Sequence, residues 1–197
     1  MSDLTPIIKS IQDVMRQDSG IDGDAQRISQ LTWLLFLKVF DALEEELELT
    51  RDRYQSPIPE AMRWRNWATD AEGITGEALL EFVDNQLFAT LKSLRADPQR
   101  NPRGYVVRGV FEDAYNYMKS GHLLRQVINK LNAIDFHRPR ERHQFNDLYE
   151  KILKELQSAG HAGAFYTPSA APPSTPAMTH PRGPDWWRDH AGTHTSS

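Results

Sequence analysis

Apolar residues recur at three- and four-residue spacing along most of the first 158 residues, and two-residue alternation is scarce, so the pattern predicts helices rather than strands. Thr5 followed by Pro6 reads as an N-cap and first helical position, after which Ile7, Ile8, Ile11, Val14 and Met15 form one stripe. Gly20 and Gly23 then punctuate a loop and Asp24 is placed to cap. Ile28, Leu31, Leu35, Val39 and Leu43 keep helical register on a long second helix. Between Leu31 and Phe40 only Thr32 and Lys38 interrupt the hydrophobic residues. That run is too short for a bilayer span and reads as a buried helix at the centre of a core.

From Asp41 to Glu48 the same helix turns acidic, which reads as a solvated helix end, with an acidic binding face as the alternative. Pro57 and Pro59 break it before Trp64 and Trp67, two tryptophans three apart in an Arg-rich stretch. They read as core anchors, the alternative being a base-stacking platform. Thr75 is a candidate cap for a third helix carrying Leu79, Leu80, Phe82, Val83, Leu87, Leu91 and Leu94. Pro98, Pro102 and Gly104 mark a loop, followed by a short helix over 110–119, with a brief extended piece over 105–111 as the alternative. Ser120 caps the cleanest stripe in the chain, Leu123, Leu124, Val127, Ile128, Leu131 and Ile134. A last helix places Phe145, Leu148, Tyr149, Ile152, Leu153 and Leu156 on one face and ends at Gly160 and Gly163. The expected class is all-α, a helical bundle of five to seven helices.

After Pro168 the character changes. Residues 169–197 contain no Leu, Ile or Val but hold five prolines and many Ser, Thr, Ala and Gly. Such a segment buries too little apolar surface to offset its ordering entropy, so a disordered Pro/Ser/Thr-rich C-terminal tail is expected. The chain of 197 residues has no cysteine, which excludes a disulfide framework, a thiolate zinc site and a cysteine nucleophile, and suits a reducing cytoplasm. No secretory signal pattern directs it out of the cytosol. With 23 Lys+Arg against 27 Asp+Glu the net charge is −4, so any contact with nucleic acid has to be local.

Candidate chemistry is sparse. There is no G-x-S-x-G elbow and no phosphate-cradling glycine loop. His180, His190 and His194, with Asp185 and Asp189, resemble a weak metal cluster but read as surface histidines in a flexible tail, so no metal site is assigned. No carboxylate pair reads as catalytic. Arginines gather in two predicted loops, Arg95, Arg100, Arg103 and Arg108 in one and Arg138, Arg140 and Arg142 in the other. Such groups neutralise phosphates without reading sequence, or they are ordinary surface charge. Arg100, Arg103, Arg108, Arg138 and Arg140 are the candidate DNA contacts.

Three stretches together carry a resemblance. Gly23-Asp24-Ala25-Gln26-Arg27-Ile28 running into Leu31–Lys38, the segment Trp64-Arg65-Asn66-Trp67-Ala68, and Ala162-Gly163-Ala164-Phe165-Tyr166-Thr167-Pro168 resemble the start of the modification (HsdM-like) subunit of type I restriction-modification systems. The resemblance covers roughly residues 3–168. It implies a helical N-terminal domain, residues 1–158, that docks and embraces DNA. A lead-in element to a methyltransferase domain follows at 159–168, and the tail expected to be disordered, 169–197, lies beyond the resemblance. It implies a parent activity that methylates adenine N6 in double-stranded DNA with S-adenosylmethionine. The implied partners are a specificity subunit, a second modification subunit and a restriction subunit, with no membrane.

Phe165, Tyr166 and Thr167 match the family element that borders the cofactor pocket, and are the cofactor-side candidates; packing against the bundle is the alternative for the two aromatics. The family's acidic residue before the Phe and arginine after the Pro are replaced by Ala164 and Ser169. Neither an Asp-Pro-Ala-Cys-Gly-Thr-Gly-like loop nor an Asn-Pro-Pro-Phe/Tyr motif, which grips a flipped adenine, is present. Asn101-Pro102-Arg103 lacks the second proline and the aromatic. The chain therefore reads as a truncated modification subunit with a tail from Ser169 that is out-of-frame or otherwise unrelated sequence, no catalytic residues, and no S-adenosylmethionine bound by itself. The competing readings are an autonomous helical protein-protein adaptor and a non-catalytic DNA-binding module.

Overall fold

The structure is a computed structural model that describes residues 5–95 and 97–137. These residues are helical with no strand among them. The all-α class follows directly from the three- and four-residue spacing of their apolar positions. The last helix expected at 145–156, the lead-in element and the tail lie outside the described residues.

Helix α1 spans Thr5–Met15 and buries Ile8, Ile11, Val14 and Met15. Thr5 is already helical rather than a cap, a one-residue shift of the expected boundary. Helix α2 spans Asp24–Thr50, about 40 Å at 1.5 Å per residue. Its cap position is taken by Gly23, so the expected Asp24 cap is corrected. Asp24 sits inside the first turn, where its carboxylate suits the helix dipole and pairs with Arg27. The apolar run does form the core's centre: Leu31, Trp33, Leu34, Leu35, Leu37 and Phe40 are all buried.

The one-turn helix α3, Trp64–Trp67, follows a 3₁₀ turn at Glu60–Met62. Both tryptophans are buried, edge to face at 5.4 Å, and Trp67 contacts Phe82 at 5.3 Å, which confirms them as core anchors. The third predicted helix is three joined pieces. Helix α4 (Gly76–Glu81), a π turn (Phe82–Leu87) and α5 (Phe88–Lys92) bury Leu79, Phe82, Val83, Leu87, Phe88 and Leu91. Thr75 holds the cap position, but its hydroxyl is turned to His122 Nδ1 at 3.2 Å instead of to the helix N–H groups.

The region after Pro98 departs most from expectation. Helix α6 spans Pro102–Glu112, starting inside the expected loop and ruling out the alternative extended piece over 105–111, and 113–120 is non-helical where the helix expected over 110–119 was to continue. Asn101 caps α6 by accepting the Gly104 N–H at 2.9 Å, and Pro102 fills the first turn, where a missing N–H costs nothing. The next segment gives its backbone donors to side chains elsewhere. The Tyr117 N–H donates to Gln30 Oε1 at 2.9 Å, and the Lys119 and Ser120 N–H groups donate to the Asp18 carboxylate, both at 2.9 Å. A backbone satisfied in this way has no need of helix bonds.

Helix α7, Gly121–Asn132, starts at the Ser120 cap as expected and buries Leu124, Val127, Ile128 and Leu131 completely. It packs on α1 and α4. A Cβ on Gly121 would lie 1.8 Å from the Gly76 carbonyl oxygen, and Gly76 itself has φ +61°. Only glycine allows that approach of two backbones. Around α2 the aromatic core is continuous, with Phe88 touching both Trp33 at 5.0 Å and Phe111 at 5.3 Å. No helix among the described residues is long and apolar enough to cross a membrane.

Candidate functional site

Four carboxylates on α2, Asp41, Glu44, Glu45 and Glu48, are spaced i, i+3, i+4 and i+7, which aligns them along one side of the helix. The expectation of a solvated acidic end is corrected here. Asp41 is 5% and Glu44 1% exposed, because arginines from other segments fold over them. A buried carboxylate without such partners would be costly, so these acids and arginines are mutually dependent.

Arg65 is the centre of the arrangement. Its Nε donates to Asp41 Oδ1 at 3.0 Å and its backbone N–H to Asp41 Oδ2 at 2.9 Å. Its terminal nitrogens reach Asp41 at 2.9 Å, Glu48 at 2.8 Å and Glu45 at 3.5 Å. Burial acts to lower the pKa of Arg65, but hydrogen bonding and charge from Asp41 outweigh it and the net shift is upward. Arg63 adds a bond to Glu48 at 3.1 Å and another to the Ile58 carbonyl at 3.1 Å. His137 Nε2 lies 3.0 Å from Glu45 Oε2, an ion pair when the ring is protonated.

Glu44 joins a different set. Arg103 from α6 pairs with it, and the Arg103 guanidinium lies over the Phe40 ring at 4.8 Å. The Tyr54 hydroxyl donates to the same carboxylate at 3.0 Å. Burial first, and then the Glu44 charge, push the Tyr54 phenol up to about 12, with Arg103 acting in opposition. The set ties α6 and the 51–59 segment to the middle of α2.

A second charged anchor was not anticipated. Arg125 on α7 is 5% exposed and is held by main-chain carbonyls alone, with bonds to Trp67, Ala68, Asp70 and Ile74. Burial lowers its pKa, and Asp70 opposes the shift. The only signal in the sequence was a cation set beside the Leu124/Val127/Ile128 stripe.

The candidate DNA contacts separate. Arg103 is turned inward onto Glu44, whereas Arg100 and Arg108 are exposed. Arg103 and Arg108, five residues apart on α6, point about 140° apart around the helix, so the three do not form one patch. Arg138, Arg140, Phe165, Tyr166 and Thr167 lie outside the described residues, as do the tail histidines. Two open depressions mark the surface. One is lined by Glu77, Glu81, Asp84 and Asn85, the other by Thr75, His122, Arg125 and Gln126.

These features define a helical domain whose internal charge braces α2 against its neighbours and whose outer faces are left for contact. The family model described as the HsdM N-terminal domain matches residues 4–131, and the chain belongs to that family. It is 65% identical over 167 residues to the EcoEI type I restriction enzyme methylase subunit of Escherichia coli, an alignment covering 85% of this chain and 34% of that protein. A modification subunit of a type I restriction enzyme from Vibrio vulnificus YJ016 has a similar structure, with TM-score 0.73 and 39% identity over 84% of this chain and 38% of that one. So does a component of a type I restriction-modification system studied for its complex assembly and conformational transition. Its TM-score is 0.68 and its identity 33%, over 85% of this chain and 33% of that one. The chain thus spans about a third of the length of the relatives it matches.

Proposed function

We propose that this chain is the assembly end of a cytoplasmic type I modification subunit. It would hold a methyltransferase domain in register with a specificity subunit, a second modification subunit and a restriction subunit around double-stranded DNA. The single observation that carries the reading is the Arg103–Glu44 contact. It fastens α6 to the rigid centre of α2 and so presents the outer side of α6 as a fixed surface. A contact surface held on a braced element loses little conformational entropy when a partner binds.

The division into a helical domain at 1–158, a lead-in element at 159–168 and a tail at 169–197 belongs to the same proposal. So does the parent activity, adenine N6 methylation of DNA with S-adenosylmethionine. The described residues do not fit that donor: the depression lined by Glu77, Glu81 and Asp84 is open and acidic, with no aromatic wall for an adenine ring. No methyl-transfer step is assigned to them, and Phe165, Tyr166 and Thr167 remain the proposed cofactor-side group.

Co-expression of the full chain with the specificity subunit of a type I system, followed by size-exclusion chromatography, tests the reading. Co-elution is expected. Failure to co-elute, under conditions where a full-length modification subunit does so, overturns it. Arg100 and Arg108 are exposed and support local DNA contact within the assembly. Replacing either by Ala should weaken DNA binding by the complex uniformly across sequences and reduce the salt dependence by about one counterion.

A further inference from the structure

The turn between α1 and α2 holds the chain's one Asp-Gly pair, Asp22–Gly23, in a reactive setting. Asp22 is exposed, and among the described residues its carboxylate takes no hydrogen bond or ion pair. In a capping box Gln26, at the third position of α2, would bond the N–H of the cap residue, Gly23. Its side-chain oxygen accepts the Asp22 N–H instead, and the Gly23 N–H has no acceptor among the described residues. An unbonded backbone nitrogen thus follows an unengaged carboxyl, and Gly23 has no side chain to obstruct their approach. Asp18–Ser19, in the same turn, makes the contrast. Asp18 is 3% exposed, and its two oxygens accept the N–H groups of Gly20 at 2.8 Å and of Lys119 and Ser120, both at 2.9 Å. That carboxyl cannot swing onto the next nitrogen without surrendering buried bonds. Asp97 is followed by Pro98, which has no N–H to lose.

We infer that Asp22–Gly23 is a site of self-modification, at which the peptide link isomerises to isoaspartate and the start of α2 is loosened. The Gly23 nitrogen gives its proton to solvent and attacks Asp22 Cγ. The new C–N bond forms as the carboxyl hydroxyl leaves as water, closing a succinimide ring. Water then adds to the Asp22 backbone carbonyl carbon and breaks its bond to the Gly23 nitrogen, which regains a proton. The chain now runs on through Cγ, one methylene longer, beside a free α-carboxylate. One water is lost and one regained, and nothing is oxidised or reduced. The added length is not absorbed upstream, because Ile21 is buried and its N–H is bonded to the Asp18 carbonyl at 3.1 Å. It falls on the bond between Asp22 and Gln26 and on the first turn of α2, where the cap position offers no side-chain bond of its own. The new carboxylate is of the class that isoaspartyl repair methyltransferases recognise. The inference does not depend on the assembly reading above.

Ageing the full chain for weeks at neutral pH and physiological temperature is the test. Trypsin then releases residues 17–27 as one peptide holding both Asp18 and Asp22. Electron-transfer fragmentation of that peptide locates isoaspartate, and methyl labelling by an isoaspartyl methyltransferase measures it. The ratio of modification at 22 to that at 18 should be about tenfold larger in folded chain than in chain aged in guanidinium chloride, where Asp18 loses its partners. Gly23→Ala should slow modification at 22 about tenfold by crowding the attacking nitrogen. A Cβ there meets nothing within 4 Å and the backbone is extended, so the fold is kept. Asp22→Glu, whose larger ring closes more slowly, should act likewise and guards against a misfolded alanine variant. In the isomerised fraction, amide exchange over residues 24–28 should quicken while that of α7 stays unchanged. Equal ratios in folded and denatured chain overturn the inference. So do unslowed modification in both variants and unaltered exchange at the start of α2.

Discussion

Asp41 and Arg65 are joined twice over, once through the guanidinium Nε at 3.0 Å and once through the Arg65 backbone N–H at 2.9 Å. The second bond makes the carboxylate a receptor for the start of α3 as well as a charge partner, so it fixes where the Trp64–Trp67 turn lands on α2. Asp41→Asn keeps the shape but removes the charge from a nearly buried position. A loss of about 2 kcal/mol is expected, seen as a lower urea midpoint at unchanged slope.

Tyr54 gives a pH signature. Its phenol is raised from 10.0 to about 12 in the folded chain, so above pH 10 the unfolded chain releases a proton that the folded one keeps. The stabilising contribution is complete below pH 10 and is lost as pH climbs toward 12. Because the side chain is part-exposed, the loss should be about 1–2 kcal/mol rather than the full value of the shift. Denaturation of wild type and Tyr54→Phe at pH 9 and 11 should show the pH-dependent difference disappear in the variant.

Arg125 satisfies four backbone carbonyls, Trp67 at the end of α3 and Ala68, Asp70 and Ile74 in the segment after it, and only a planar fork of five donors spans them. Arg125→Lys retains the charge but not the fork. It should cost about 2–3 kcal/mol in thermal or urea unfolding. It should also speed amide hydrogen exchange in residues 68–75 more than in α2.

Two helical glycines should respond with opposite sign. Gly109→Ala, in open space, should stabilise the chain by about 0.5–1 kcal/mol. Gly121→Ala drives a Cβ into the Gly76 carbonyl and should cost about 3 kcal/mol by separating α7 from α4. Melting curves of the two variants check both.

Much of the candidate site was hidden from a linear reading for an electrostatic reason. The acids at 41–48 look like a water-facing helix end because their partners, Arg63, Arg65 and Arg103, lie 15 to 59 residues away. Arg103 was legible as a cation but not as one already engaged, and grouping it with Arg100 and Arg108 presumed a loop where Asn101 and Pro102 begin a helix. Asp18 and Gln30 were missed similarly. Each is a single polar residue whose role is to hold the backbone of the 113–120 segment.

The chain's own pattern determined the helical class, the buried run from Leu31 to Phe40, the tryptophan anchors and the start of α7 at Ser120. These depend on periodicity, side-chain size and contacts a few residues apart. Only the tertiary structure decided which charges are buried, which arginines are engaged and where 113–120 leaves the helix. Those outcomes turn on whether a distant group arrives to replace water, and hydrogen bonds and ion pairs spanning tens of residues leave no local trace in composition or spacing.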